Sequence, residues 1–171
     1  MKTTQVFPRV EAGAQGASLF YCDTPGNASD FIIAGTRSTN ATGSINRITV
    51  TTGVNTTTAA IQNHGTFAVN DGQWKHVVVT RSKTSGEVKI YVNGGLDKTG
   101  AGSTTTLTSN PVISIGAYPG TPAASYVGSL DEIQIYNKVL SQSEVTGLTT
   151  GPPPLPVPSL VAASTAYDDW T

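Results

Sequence analysis

The feature that most constrains the fold of this chain is its repeated interruption by turn-forming residues. Segments such as NDGQ, KTSG and NGG separate short strand-like stretches, at intervals of about eight to twelve residues. In SGEVKIYVNGG, Val88, Ile90 and Val92 fall on one face of an extended strand, and Asn93 and Gly94 then supply a tight turn. This pattern is typical of an all-β sandwich or barrel.

Length and charge limit the classes of partner. With 171 residues, the chain has room for one well-buried domain. Its formal net charge is −1 and only 12% of its residues are charged, so we expect neither a nucleic-acid partner nor an anionic membrane surface. No apolar run is long enough for membrane insertion. The beginning of the chain carries no apolar signal-peptide core, so we expect either a leader that has been removed or export by another route.

A helix and an extended arm are predicted near the C-terminus. The segment SQSE reads as a capping box, with Ser141 as N-cap and Glu144 reaching back to it, and it predicts a short helix ending near Leu148. The following GPPPLPVP excludes both a helix and a central strand, and predicts an extended polyproline spacer. We therefore divide the chain into a sandwich domain, 1–149, and a Pro-rich arm, 150–171.

Four segments resemble a known family in their order and spacing. They are DGQWKHVVVTR, GEVKIYVNG, ISIGA and YVGSLDEIQIYNKVLSQSEV, and they resemble the laminin G-like domains of the concanavalin A-like lectin and glucanase superfamily. The resemblance covers Asp71–Leu148, and the Phe-Asp-Gly opening familiar in the family is absent. It implies an all-β fold: a two-sheet antiparallel jelly-roll sandwich with one short C-terminal helix and an extended Pro-rich tail.

The closing strand is predicted to be bulged. Tyr126 and Leu130 have one parity along the segment, whereas Ile133 and Ile135 have the other. An uninterrupted strand cannot bury both sets on one side, so we expect a β-bulge or a twist at Asp131–Glu132. The predicted core residues are Trp74, Val78, Ile90, Ile115, Ile133 and Ile135.

The adjacent carboxylates Asp131 and Glu132 allow three interpretations. Glycoside hydrolysis needs two carboxyl groups flanking one bond, but neighbouring strand residues point to opposite faces, so we predict that the protein is not an enzyme. Some relatives place calcium near the sandwich rim, and Asp131 is the residue most like theirs, so the resemblance implies calcium as the one cofactor to consider. The alternative is that Asp131 accepts hydrogen bonds from backbone amides at the bulge.

The resemblance also implies a glycan site, for which we expect aromatic faces and amide side chains on loops. The candidate residues are Tyr118, Asn63, His64 and Asn40. By contrast, we predict that Trp74 is a core residue and that His76 is structural.

Two functions fit these features. The first is a non-catalytic structural or display protein of a large assembly, most plausibly a phage virion decoration or appendage protein with a glycan-adhesion role. Its arm would bind neighbouring protein subunits through Pro154, Tyr167 and Trp170. The alternative is a secreted carbohydrate-binding or adhesion module of a larger polysaccharide-active protein, with the proline run as a linker. The expected location is a virion surface or the extracellular space.

Overall fold

A computed structural model describes residues 2–10, 18–24, 27–36, 47–52, 61–104, 112–117 and 126–149. These residues form ten strands and one helix: β1 (Lys2–Val10), β2 (Ser18–Thr24), β3 (Asn27–Thr36), β4 (Arg47–Thr52), β5 (Ile61–Ala68), β6 (Val77–Arg81), β7 (Glu87–Val92), β8 (Gly95–Ala101), β9 (Val112–Ile115), β10 (Gly128–Tyr136) and α1 (Gln142–Leu148).

The strands form two antiparallel sheets of five strands each. Sheet A has the order β10-β1-β6-β7-β8, and sheet B has the order β5-β4-β3-β2-β9. One hydrophobic cluster lies between them, because Ile48 and Val50 of β4 pack with Val79 of β6 and Ile90 of β7. The prediction of an all-β jelly-roll sandwich with one short helix is confirmed. In the part of the chain that the structure describes, no helix is long and apolar enough to cross a bilayer.

The predicted bulge in the closing strand is confirmed. Gln5 of β1 pairs with Gln134 and Phe7 pairs with Asp131, so one residue of β1 stands opposite Glu132 and Ile133. Glu132 has a φ of 47°, in the left-handed region that non-glycine residues rarely adopt. The extra residue lets side chains of both parities, those of Tyr126, Leu130 and Ile133, pack against the core.

Three of the core predictions need correction. Val78 and Ile90 are fully buried, and Ile133 is half-buried against the core cluster. Trp74 is only half-buried, because it lies in the loop before β6 rather than in that strand. Ile115 and Ile135, each 48% exposed, lie in β9 and β10, the strands that end the two sheets, so they lack a neighbouring strand on one side.

The short helix begins as predicted. The Ser141 side chain accepts from the backbone of Glu144, and the Glu144 carboxylate accepts from the Ser141 N–H at 2.8 Å. Lys138 and Ser141 together hold the pKa of Glu144 at about 2. Val145 is fully buried with Val78, which places the helix on the outer face of sheet A.

One margin of the sandwich, formed by β5 and β8, is closed by hydrogen bonds between the sheets. Asn63 of β5 donates its side-chain amide to the Ala101 carbonyl of β8 at 2.7 Å. The Asp97 carboxylate of β8 accepts from the Thr66 hydroxyl and from the Thr66 N–H of β5, the latter at 2.8 Å. In a third contact, the Ser103 N–H donates to the Thr52 hydroxyl at 2.8 Å. We call these contacts the polar seam.

Candidate ligand-binding surface

The outer face of sheet B carries a register row to which four of its five strands contribute polar residues. Ser114 of β9 pairs with Tyr21 of β2, and the same register continues through Ile33 of β3, the one apolar member, to Thr51 of β4 and Gln62 of β5. Because partners in an antiparallel register lie on one face, this row faces away from Val50 and the core. We call it the outer row.

A second pair of polar residues lies beside the outer row, two residues away along β4 and β5. Thr49 of β4 pairs with His64 of β5, and the Thr49 hydroxyl lies 3.1 Å from His64 Nδ1. Tyr21, Thr49 and Thr51 are each only 8% exposed, so neighbouring residues cover most of each side chain. Hydroxyl, imidazole and phenol groups are among the side chains with which proteins orient polar ligands.

A cationic group lies at one end of this face. Arg47, Thr49 and Thr51 alternate along β4, so the three share the face that points away from the core. Arg47 is half-buried, and the imidazole of His64 belongs to the neighbouring strand. A guanidinium binds carboxylate or sulfate groups through two parallel hydrogen bonds, which favours acidic ligands over neutral ones.

The structure separates the two candidate glycan residues on β5. His64 is half-buried on the outer face of sheet B. Asn63 points the other way, is 6% exposed and uses its amide in the polar seam, so we leave it out of the surface. Asn40 and Tyr118 lie outside the described residues, as do the arm residues Pro154, Tyr167 and Trp170.

The carboxylate pair of β10 takes part in the bulge. Asp131 Oδ1 accepts from the Glu132 N–H at 2.8 Å, which is the kind of contact expected of a carboxylate that stabilises a bulge. Within the described ranges, no three His, Cys, Asp or Glu side chains are grouped closely enough to hold a metal ion. Calcium also takes backbone carbonyl oxygens as ligands, so this observation does not test the site, and calcium at Asp131 stays a prediction.

His76 is held in the interior near the turn between β7 and β8. The backbone N–H of His76 donates to Asn93 Oδ1 at 3.0 Å, and the backbone carbonyl of His76 accepts from the Asn93 N–H at 2.7 Å. Burial lowers the pKa of the His76 imidazole to about 4. A neutral buried imidazole braced by a turn fits the structural role predicted for this residue.

Sequence reasoning missed most of the outer row and the Thr49 position beside it. Tyr21, Thr49 and Thr51 lie inside strands, whereas the sequence analysis expected the glycan-binding side chains to lie on loops. Alternation along RITVTT does place Arg47, Thr49 and Thr51 on one side, opposite Ile48 and Val50. That signal could have identified the β4 contribution, but the pairing of β4 with β2 through β3 could be read only from the structure.

Comparison with protein families gives a match over most of the chain. A laminin G-like family model, described as the concanavalin A-like lectin/glucanases superfamily, matches residues 8–146. The Sushi, von Willebrand factor type A, EGF and pentraxin domain-containing protein 1 of Rattus norvegicus is 30% identical over 104 residues. That alignment spans 50% of this chain but only 3% of the relative, so the chain corresponds to a small part of that protein.

Two solved structures show the same fold. The native heptameric SAP-like pentraxin from Limulus polyphemus has a TM-score of 0.66 and 17% identity, over 87% of this chain and 70% of the pentraxin. The Ruminococcus gnavus IT-sialidase CBM40, solved bound to α2,3 sialyllactose, has a TM-score of 0.64 and 22% identity, over 86% of this chain and 82% of the module. At these identities the likeness concerns the fold alone.

Proposed function

Because this chain belongs to the concanavalin A-like lectin/glucanases superfamily, we propose that it is a non-catalytic carbohydrate-binding or adhesion module. The observation that carries the proposal is the outer row of sheet B, which places hydroxyl and phenol groups of β9, β2 and β4 in one register on the face that points away from the core. The neighbouring folds support it, since the CBM40 module was solved with a bound sialyllactose. This proposal corresponds to the second of the two functions considered from the sequence, the secreted carbohydrate-binding or adhesion module.

The ligand would lie across the strands of sheet B. Sugars present hydroxyl groups along their edges and C–H groups on their faces, so they need short polar side chains together with an aromatic ring. Thr49, Thr51 and His64 supply the polar groups, and Tyr21 supplies the ring. Because Arg47 shares this face, we expect acidic glycans to bind more tightly than neutral ones.

A non-catalytic role agrees with the position of the only adjacent carboxylate pair in the described strands. Asp131 and Glu132 belong to the edge strand of sheet A, whereas the outer row belongs to sheet B. Asp131 also contacts the Glu132 backbone directly. We therefore expect Asp131→Asn to leave glycan binding unchanged and no polysaccharide to be cleaved by the unmodified protein.

The experiment is glycan-array binding followed by calorimetry on the strongest ligand. Thr51→Val keeps the shape of the side chain and removes its hydroxyl, so we expect binding to weaken about tenfold, corresponding to the loss of one hydrogen bond. Arg47→Gln should weaken acidic glycans more than neutral ones. Thr99→Val is the matched control, because Thr99 is an exposed threonine of β8 in the other sheet. Equal binding by Thr51→Val and Thr99→Val would contradict the proposal.

A second proposal concerns the place where the module acts: it would be displayed on a virion as a decoration or appendage protein. The residue pattern of 151–171 favours it, because a proline run followed by Tyr167 and Trp170 suits an arm that reaches a neighbouring subunit. In that case Trp170→Ala should reduce incorporation into the particle while the array profile stays the same. Normal incorporation of this variant would leave the secreted module as the better description.

A further inference from the structure

The margin formed by β9 and β10 leaves part of the core exposed. Ile113 and Ile115 of β9 are 50% and 48% exposed, and Ile135 of β10 is 48% exposed. Ile115 pairs with the core residue Phe20, and Ile135 lies in register, through Thr4, with Val79. All three positions are therefore on the inner faces of their sheets. We call these three residues the apolar margin.

A second copy of the chain is poorly suited to cover this margin by strand pairing. The edge of β10 is interrupted by the bulge, where Glu132 has a positive φ. Two copies of β10 would also bring Asp131 and Glu132 of both chains together, and bulges and charges are the devices that protect an edge from pairing. β9 has only four residues and offers little backbone for a new strand.

The chain itself contains a segment of suitable chemistry. Residues 155–161 read LPVPSLV and hold four aliphatic side chains, those of Leu155, Val157, Leu160 and Val161. Two of the remaining residues are prolines, and proline favours extended backbone, which would lower the cost of ordering the segment.

The point at which the arm leaves the domain brings residues 155–161 within reach of the apolar margin. The helix that precedes the arm is fixed to the turn between β7 and β8, because Gln142 Nε2 donates to the Gly94 carbonyl at 2.7 Å. From β7 to β10 there are three strand spacings, or roughly 14 Å. The five residues 150–154 connect the helix to this segment, and they span roughly 15 Å when extended, which matches that distance.

We propose that residues 155–161 pack against the apolar margin of the same chain and complete the core there. The aromatic end of the arm, with Tyr167 and Trp170, then projects from a fixed position on the β10 side of the domain. This docking is independent of glycan binding, which we place on the outer face of sheet B.

The experiment is NMR of isoleucine δ1 methyl groups in the full chain. The variant Leu155→Ser, Val157→Ser, Leu160→Ser and Val161→Ser removes the four aliphatic side chains without shortening the arm. We expect the methyl signals of Ile113, Ile115 and Ile135 to move toward solvent-exposed positions. The signal of Ile61, which is 40% exposed beside the polar seam, should not move.

Two controls make the result decisive. The signal of the buried Ile48 must stay unchanged, which shows that the variant is folded. The arm variant Ser159→Ala with Thr165→Ala, which keeps the aliphatic residues, should leave all signals in place. The proposal is wrong if the three margin signals do not respond, or if they change on dilution of the unmodified chain, since a change on dilution would mean that a second copy supplies the covering segment.

Discussion

The two margins of the sandwich end the same row of core residues in opposite ways. Ile115, Phe20, Val50 and Asn63 are joined by strand register across the inner face of sheet B. At the β9 end Ile115 is 48% exposed, Val50 in the middle is fully buried, and Asn63 at the β5 end is 6% exposed. Of the two residues that end this row, the polar one, Asn63, is buried and the apolar one, Ile115, is half-exposed.

The difference shows how a sheet edge can be sealed. Asn63 is sheltered because β8 of the other sheet lies against it and supplies the Ala101 carbonyl as an acceptor. Gly100 makes this close approach possible, since a Cβ at that position would lie 1.6 Å from Asn63 Oδ1. An isoleucine of an edge strand, such as Ile115 of β9, has a neighbouring strand to pack against on one side only. A buried amide with a partner therefore closes a margin, whereas an apolar side chain there needs a further covering segment.

The largest effect is expected from breaking the polar seam. Asn63→Ala removes the donor to the Ala101 carbonyl and opens a small cavity in place of a side chain that is 6% exposed, so we expect the free energy of unfolding to fall by about 2 to 3 kcal/mol. Urea denaturation measures it, with Thr99→Ala as an exposed control on β8. A loss no greater than that of Thr99→Ala would show that the seam does not stabilise the fold.

A smaller effect, lying at neither margin, is expected on acidification. The pKa of His76 is about 4 in the folded chain and about 6.5 when exposed, so the unfolded chain binds the proton first. The contribution of the neutral His76 imidazole to stability is complete above pH 6.5 and is lost as the pH falls toward 4, by on the order of 2 kcal/mol.

The matched variant for this test is His76→Phe, which keeps a buried ring that does not titrate. Its free energy of unfolding should vary less than that of the unmodified chain between pH 6.5 and 4. Equal slopes for the two proteins would assign the acid sensitivity to other groups, including those at the margins.

Much of the fold could be predicted from sequence because it depends on local signals. The capping box at Ser141 and the parity change at Asp131–Glu132 are each visible within a few residues, and both predictions are confirmed. Strand β8 was missed even though the Asn93-Gly94 turn implies a following strand, since GLDKTGA lacks β-branched apolar residues.

Less of the site could be predicted, because strand order decides it. Parity places Ile115 and Asn63 on a face, but their burial depends on which strands end the sheets. The outer row likewise joins β2 and β4 through β3, a register that no single segment encodes. Burial of Ile115 and Ile135 was therefore predicted wrongly, although both lie on the inner face as their parity indicates.

A third prediction tests whether the bulge that interrupts the edge of β10 holds Glu132 in the left-handed region. Glu132→Val places a β-branched residue at a φ of 47°, so we expect a loss of about 1 kcal/mol in the free energy of unfolding. Glu132→Asn tolerates the left-handed region and should be close to neutral. If Glu132→Val is also neutral, the backbone is not held in this conformation in solution.

The smallest effect is expected from Ile115→Thr, which removes part of a half-exposed side chain at the apolar margin. In a chain whose arm aliphatic residues are replaced by serine, we expect the free energy of unfolding to fall by only about 0.5 kcal/mol. In the unmodified chain the same substitution should cost more, because the arm then loses its contact with Ile115 as well. The difference between the two losses is a coupling energy, of about 0.5 to 1 kcal/mol for residues in direct contact. Ile61→Thr, made in both backgrounds, serves as the control at the other margin, and its cost should be the same with and without the arm residues. A coupling at Ile115 no larger than the one at Ile61 would mean that the two margins do not differ in their need for a covering segment.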